Sequence, residues 1–203
     1  HLTSLSLDGH QIQDLTYEIG ELSELLRFTA ANNQLLNLPY ELGALRNVEY
    51  LDFSHNSINN FPNVHQLRSL TFLDASYNLM SALPLNIRRW TALRTLKVTN
   101  NVLQTLPEPL GELERLTFID ASDNRLTALP GSIKHLTRLG QLHLKNNSLT
   151  KVPAVVPLLT TLAQLSLSGN RILALPPALC LCTGVQTLDV SYNFLIAPPA
   201  ETH

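Results

Sequence analysis

Apolar and polar positions alternate over short stretches of the chain, and the same stretch returns about every 23 residues. Each copy begins L-x-x-L-x-L-x-x-N, and Leu142-His143-Leu144 is one example of the alternation. Alternation over a few residues is typical of a short strand with one buried face. The copies open at Leu2, Leu25, Val48, Leu70, Leu93, Leu116, Leu139, Leu162 and Val185. The pattern therefore predicts one short strand in each of nine copies.

An asparagine follows the strand segment in every copy but the first, at positions 33, 56, 78, 101, 124, 147, 170 and 193. Its side-chain amide carries two donor hydrogens and an acceptor oxygen. These suit backbone groups that no strand pairing satisfies where the chain turns away from the strand. If the copies stack, the asparagine side chains are expected to form a ladder from one copy to the next.

A proline stands at one phase of the repeat, at positions 39, 62, 84, 107, 130, 153 and 176. Proline fixes φ and removes an N–H donor, so it steers the chain into a return segment. The apolar residues of this segment that we expect to face inward are Leu42, Leu45, Ile87, Leu110, Leu113, Ile133 and Leu136. The return segment is predicted to be a short helical turn.

A unit of 23 residues cannot bury its own apolar face, whereas parallel stacking joins the leucines of neighbouring units into one core. The return segments are wider than the strands, so the stack curves with the sheet on the inside. The predicted fold class is α/β: a right-handed, horseshoe-shaped solenoid with a concave parallel sheet of about nine strands and a convex side of short helical turns and loops. The units fill residues 1–203 as a single domain, with the ninth truncated near Pro199.

The repeat resembles that of leucine-rich repeat proteins over essentially the whole chain. Its 23-residue length and its Leu-Pro-x-x-Ile/Leu-Gly phrase, seen at residues 38–43 and 106–111, are similar to the intracellular Ras-interacting and Scribble/Erbin-type group. Extracellular members usually run longer and carry cysteine caps. The resemblance implies a non-catalytic scaffold in cytoplasmic signalling, with a protein partner such as a small GTPase or a phosphatase.

Several positions depart from the repeat. His10 replaces the ladder asparagine and Thr16 replaces the proline in the first unit, and Cys182 takes the place of a leucine. The third unit is one residue short around residues 63–65. We expect ends of the array or local irregularities at these positions.

The chain has two cysteines, Cys180 and Cys182. A disulfide between them is poorly placed if they lie on opposite faces of an extended segment. A metal-binding or redox pair would need a second cluster of ligands nearby, and the sequence shows none. We therefore interpret both as buried free thiols in a reducing compartment, in agreement with a cytoplasmic protein.

The charge balance and the hydrophobic runs exclude several kinds of partner. Fourteen lysines and arginines stand against 16 aspartates and glutamates, so no bulk charge attracts nucleic acid or an anionic membrane. No apolar run approaches the roughly 18 to 20 residues that span a bilayer. We therefore predict neither nucleic-acid binding nor membrane insertion.

The sequence contains no known catalytic motif: G-x-x-x-x-G-K-[ST], H-E-x-x-H and G-x-S-x-G are all absent. The internal histidines fall at different phases of the repeat, which scatters them around the solenoid; they are His10, His55, His65, His135 and His143. We therefore predict no enzyme activity, no catalytic residue, no metal site and no cofactor.

The polar residues that alternate with the strand leucines project onto the concave surface and are free to vary, so they are the candidates for partner binding. Together with positions just after the strands they give the predicted site: Tyr50, Asp52, Phe72, Asp74, Tyr77, Lys97, Phe118, Asp120, Asp123 and His143. We interpret the aromatic residues as anchors on an exposed sheet face and the aspartates as the source of selectivity. The predicted surface centres on units three to six.

A structural interpretation of the same residues stays open. Tyr50 and Phe72, on adjacent strands, equally suit a stack that stabilises the sheet. Asp52 and Asp74 are expected to be lateral neighbours, and a basic partner would relieve their repulsion. Aspartate is nevertheless frequent at this position in the repeat family, which favours a structural role for part of the signal.

Two other classes of function fit the repeat. The chain could be a regulatory or substrate-recruiting segment of a larger enzyme such as a kinase, cyclase or ligase, or a component of a structural, cytoskeletal assembly. The absence of a starting methionine and of recognisable capping units favours a fragment of a longer chain.

Overall fold

The computed structural model describes residues 1–62 and 64–196, which form short strands alternating with short helical turns. The strands are β1 (Ser4–Ser6), β2 (Arg27–Thr29), β3 (Tyr50–Asp52), β4 (Phe72–Asp74), β5 (Thr95–Lys97), β6 (Phe118–Asp120), β7 (Gln141–His143), β8 (Gln164–Ser166) and β9 (Thr187–Asp189). They form one parallel sheet in which each strand pairs with the next along the chain. The predicted right-handed solenoid with a concave sheet is confirmed.

The return segments contain 3-10 helices, which confirms the predicted helical turns. They are η1 (Tyr17–Glu21), η2 (Tyr40–Ala44), η3 (Leu85–Arg89), η4 (Glu108–Glu112), η5 (Gly131–His135), η6 (Val156–Leu158) and η7 (Pro177–Leu181). The repeat proline stands at the N-cap of most of them, as Pro39 does with φ −70° and ψ 151°. Its ring holds the extended backbone from which the helix starts. Between Phe61 and Leu67 the described residues of the shortened third unit form no helix.

The inward side chains of the strands and of the return segments form one continuous core. The strand leucines Leu51, Leu73 and Leu96 are fully buried. All seven return-segment residues that the sequence predicted to face inward are fully buried as well. Because each unit is covered by the unit before it and the unit after it, the stability of the core is shared along the stack.

The asparagine ladder predicted from the repeat is confirmed. Asn78 shows its geometry: Nδ2 donates to the Phe53 carbonyl of the preceding unit at 3.0 Å and to two carbonyls of its own unit. Its Oδ1 accepts the Ile58 N–H at 2.9 Å. Asn56 and Asn101 bond in the same way to the units before them. Each amide therefore links two successive units.

The interpretation of the two cysteines as buried thiols is wrong. Cys180 is exposed and Cys182 is only half-buried. They lie in and directly after η7, which contains no buried residue. The ninth strand, the last one described, covers this unit incompletely, since its inward Leu188 is itself 39% exposed. Partial burial raises the pKa of the Cys182 thiol, and the neighbouring Cys180 raises it further.

We expect a thiol-specific reagent at neutral pH to label Cys180 faster than Cys182, because the thiolate is the reactive form and the pKa of Cys182 is raised. The single-thiol variants Cys180→Ser and Cys182→Ser allow each rate to be measured by intact mass. Equal rates for the two variants would contradict the difference in burial.

No helix of the described residues is both long enough and apolar enough to cross a membrane.

The predicted truncation of the ninth unit near Pro199 lies outside the described residues, and so does Asn63 of the shortened unit. The assignment of residues 1–203 to a single domain stays a prediction.

Candidate partner-binding surface

The open side of the sheet is lined by the residues that alternate with the core leucines. Eight of the predicted partner-binding residues lie on its strands, namely Tyr50, Asp52, Phe72, Asp74, Lys97, Phe118, Asp120 and His143. All eight are half-buried. Equivalent residues of neighbouring strands pair without offset, so Tyr50 lies beside Phe72 and Asp52 beside Asp74. The structure thus brings these eight side chains onto one surface, as the sequence predicted.

Tyr77 and Asp123 lie just after the strands, at the positions that the sequence indicated. Both occupy the turn after the strand and have left-handed backbone angles, with φ of 55° and 53°. Every unit turns away from the sheet at this position, and a left-handed residue ends the two-residue alternation of a strand. Both residues therefore lie at the rim of the sheet, where Asp123 Oδ1 accepts a hydrogen bond from Asn146 Nδ2 at 2.8 Å.

Tyr50 and Phe72 stack face to face across strands β3 and β4. Their ring centroids are 4.3 Å apart and their planes differ by 2°. The Arg27 guanidinium carbon lies 3.5 Å from the Tyr50 centroid, and Lys97 Nζ lies 5.4 Å from the Phe72 centroid. Cation–π attraction at both ends holds the two rings in one orientation. This row of four side chains, Arg27, Tyr50, Phe72 and Lys97, is called the aromatic row below.

The sequence reasoning missed two residues of this surface, Arg27 and His55. Arg27 lies beside Tyr50, on the neighbouring strand β2. The sequence signal that could have identified it is a cation at the same strand position as two aromatic residues of the next units. His55 stacks on Tyr77 at the rim, with ring centroids 4.1 Å apart and planes 9° apart. The two rings occupy equivalent turn positions of neighbouring units, so the repeat phase alone pointed to their contact.

The strand aspartates have a structural role that does not depend on a partner. Oδ1 accepts the backbone N–H of the serine two residues later in Asp52, Asp74, Asp120 and Asp189. The hydroxyl and the N–H of Ser191 lower the pKa of the Asp189 carboxyl, which keeps the acceptor ionised. This local bond accounts for the recurrence of aspartate at the position and leaves the second carboxylate oxygen, Oδ2, for other contacts.

The predicted lateral contact of Asp52 with Asp74 is present in the register of the sheet. Lys97 Nζ lies 3.7 Å from Asp74 Oδ2 and offsets that charge. The pair is partly open to water and is therefore a weak ion pair. No other ion pair within 4 Å involves the described residues, so Asp52 has no cation of its own there.

Phe118 is separate from the aromatic row, because Thr95 lies between Phe72 and Phe118 in the sheet. Its ring is tilted against His143, with centroids 5.3 Å apart. The predicted anchors therefore form two groups, the Tyr50–Phe72 stack and the Phe118–His143 contact, rather than one patch.

The described residues contain no group of three or more histidine, cysteine, aspartate or glutamate side chains that could hold a metal ion. The side chains of the concave surface instead offer flat aromatic area, single carboxylates and single cations. Such an arrangement suits contact with another chain.

No model of a known protein family and no curated protein matches the chain, whereas solved structures do. The plant peptide hormone receptor RGFR1 in complex with RGF2 is 25% identical, with a TM-score of 0.84 over 95% of this chain and 32% of that one. PEPR1-AtPEP1 is 26% identical, with a TM-score of 0.88 over 98% of this chain and 29% of that one. The LRR ectodomain of the plant membrane receptor kinase GASSHO1/SCHENGEN3 from Arabidopsis thaliana, in complex with CASPARIAN STRIP INTEGRITY FACTOR 2, is 25% identical. Its TM-score is 0.71 over 95% of this chain and 27% of that one.

The chain spans about a third of the length of these three structures. Because each likeness extends over 95% or more of this chain, the similarity covers the whole array of units. None of the three is described as a member of the Ras-interacting or Scribble/Erbin-type group, and that narrower relation stays a prediction.

Proposed function

We propose that this leucine-rich repeat protein is a non-catalytic scaffold that binds a protein partner on the concave side of its sheet. The observation that carries the proposal is the aromatic row, in which two large rings stand half-exposed on strands β3 and β4 of the concave surface. Soluble proteins ordinarily bury such rings or scatter them singly.

The aromatic row is fixed before a partner arrives. Each ring is held by its neighbour and by a cation on its outer face, so little side-chain freedom is lost on binding. Since the ring faces are covered, the ring edges and the Tyr50 hydroxyl are the parts left for contact. Rigid aromatic residues of this kind often carry most of the binding energy of an interface. The Tyr50–Phe72 stack thus stabilises the sheet and is also suited to anchor a partner.

The solved structures also support the proposal. RGFR1 is in complex with RGF2, and GASSHO1/SCHENGEN3 is in complex with CASPARIAN STRIP INTEGRITY FACTOR 2. Solenoids of similar fold therefore bind other molecules, as we propose for this chain.

Replacing Tyr50 and Phe72 together by alanine is expected to reduce partner capture from cell lysate by about tenfold or more, because both anchor rings are lost. Capture is measured by quantitative mass spectrometry on the immobilised chain. The matched control is Tyr40→Ala, which removes a 74% exposed tyrosine from the start of η2, outside the sheet.

Each variant must retain the circular dichroism spectrum of the unchanged chain and a cooperative melt. If capture by the Tyr50→Ala/Phe72→Ala variant is undiminished, the concave surface is not the binding surface. If Tyr40→Ala weakens capture as much, the convex side takes part and the proposal in its present form is rejected.

The finer proposal is that the partner is a small GTPase or a phosphatase of a cytoplasmic signalling pathway. It is supported by the length of the repeat, by the Leu-Pro-x-x-Ile/Leu-Gly phrase and by two free thiols, one of them exposed. The identity of the proteins that lose binding to the Tyr50→Ala/Phe72→Ala variant tests it. Exclusive loss of other protein classes would reject this finer proposal and leave the scaffold itself standing.

A second candidate is a regulatory or substrate-recruiting part of a larger enzyme. It is favoured by the similarity to GASSHO1/SCHENGEN3, which is described as the LRR ectodomain of a receptor kinase. The messenger RNA that encodes this chain tests the alternative, since an enzyme domain encoded in the same reading frame would establish it.

A further inference from the structure

Asp52 shares its own hydrogen bonds with Asp189 and differs from the other strand aspartates in its lateral neighbours. Its Oδ1 is occupied by the backbone N–H of Ser54 at 2.9 Å and by the Ser54 hydroxyl at 2.7 Å. No hydrogen-bond donor among the described residues reaches its Oδ2. Asp52 therefore presents one unused, half-buried carboxylate oxygen on the concave surface.

The two cations of the aromatic row interact with groups other than Asp52. Arg27 lies on the Tyr50 ring at 3.5 Å, and Lys97 pairs with Asp74 Oδ2 at 3.7 Å. Neither lies within 4 Å of the Asp52 carboxylate. Asp52 thus forms no ion pair with the described cations of the surface.

The lateral neighbours of Asp52 do not compensate its charge either. On one side lies Asp74, a like charge. On the other lies Thr29, whose hydroxyl is bonded to Ser6 and Asp8 of the first unit. Asp120, by contrast, stands between Lys97 and His143 in the sheet. Among the strand aspartates, Asp52 is therefore the one that lies beside a like charge and beside no basic residue in the sheet.

Aromatic rings lie on both sides of Asp52 along the chain. Tyr50 of the aromatic row comes two residues earlier, and His55 of the His55–Tyr77 stack comes three residues later. A guanidinium is planar, is less strongly hydrated than an ammonium and offers five donors. It can donate to Asp52 Oδ2 and to the neighbouring Asp74 at once while packing against ring edges, which the compact ammonium of lysine does less well.

We infer that Asp52 receives an arginine side chain of the protein partner, between the Tyr50–Phe72 stack and the His55–Tyr77 stack. The inference rests on the proposed function, because it needs a partner on the concave surface. It adds the chemistry of that partner: an arginine-bearing segment whose charge is neutralised by Asp52 and Asp74.

A displayed library of random 12-residue peptides, selected on the full chain, tests the inference. We expect arginine to be enriched at one position of the peptides that bind. Selection on Asp52→Asn should abolish this enrichment, because the amide keeps the Oδ1 acceptor for Ser54 but removes the charge and replaces the acceptor Oδ2 by an NH2 donor. Asp189→Asn, in the ninth unit, makes the same exchange at an equivalent position and should leave the enrichment unchanged.

One selected peptide is then synthesised with arginine, lysine or glutamine at the enriched position. We expect Asp52→Asn and the arginine-to-glutamine exchange in the peptide each to weaken binding by about tenfold. When both changes are combined, the loss of affinity should be little larger than that of either change alone, as for charges in direct contact. Lysine should bind more weakly than arginine. Independent, additive losses would overturn the contact.

The outcomes separate this inference from the proposed function. Peptides that bind, that depend on Phe72 and that lack arginine enrichment would overturn the arginine site and leave the scaffold intact. Peptides whose binding is indifferent to both Asp52→Asn and the Tyr50→Ala/Phe72→Ala variant would overturn both.

Discussion

Replacing Trp90 by alanine is expected to lower the free energy of unfolding by about 3–5 kcal/mol, as for other fully buried large aromatic residues. Trp90 occupies a phase of the repeat at which units two, five and six have leucine. Its ring meets Phe61 edge-on at 5.3 Å, and its Nε1 donates to the Val64 carbonyl at 3.2 Å. Both contacts reach back into the third unit, which is one residue short and has no described helix. The indole thus fills space and satisfies a carbonyl that the missing residue leaves open.

Trp90→Leu is the sharper variant, because it restores the usual residue of the repeat. We expect it to destabilise the chain by about 2 kcal/mol through lost packing and an unpaired carbonyl. Urea unfolding followed by circular dichroism measures both variants, since the chain has no other tryptophan for fluorescence. The matched control is Leu113→Ile, a conservative change at the equivalent position of the fifth unit. Wild-type stability of Trp90→Leu would show that the indole has no special role beside the short unit.

Replacing Asn101 by alanine is expected to lower the free energy of unfolding by about 3 kcal/mol, because buried backbone groups of two units lose their partners. The Asn101 amide donates to the Ala75 and Val98 carbonyls at 3.0 and 3.2 Å and accepts the Met80 N–H at 2.9 Å. It is 7% exposed, so water cannot replace these bonds without opening the stack. Urea unfolding followed by circular dichroism gives the measurement.

Two further variants make the test of the ladder specific. Asn101→Asp keeps the acceptor oxygen but turns a second oxygen toward the carbonyls, so we expect a larger loss at pH 7 that is partly recovered at low pH, where the carboxyl is protonated. Asn59→Ala changes an exposed asparagine with no side-chain hydrogen bond among the described residues and should be nearly neutral. Equal stability of Asn101→Ala and Asn59→Ala would contradict the role of the ladder.

The arrangement of the candidate partner-binding surface was predicted in part. Alternation placed Tyr50, Asp52, Phe72 and Asp74 on the open side of the sheet, and parallel pairing without offset made them lateral neighbours. The same reasoning extended the surface to Tyr77, where the left-handed turn ends the alternation. A two-residue period holds only while the backbone stays extended.

Contacts between units were harder to predict than positions within one unit. The place of Arg27 on the Tyr50 ring, and the division of Lys97 between Phe72 and Asp74, depend on the rotamers of long side chains. Such choices follow from the local balance of charge, ring contact and water, which no repeat pattern encodes. Hence only the structure shows that Asp52 forms no ion pair with the described cations.

The sequence by itself determined the strands, the return turns, the asparagine ladder and the leucine core, because each of these demands recurs in nearly every unit at the same phase. The tertiary structure alone decided what happens where the recurrence fails or where units meet. Examples are the indole that fills the short third unit, the exposed Cys180 in the eighth, and the oxygen of Asp52 that is unpaired among the described residues. The physical reason is that backbone pairing and burial are fixed by short-range periodicity. The neutralisation of a charge depends on every group within a few ångströms, and most of these come from other units.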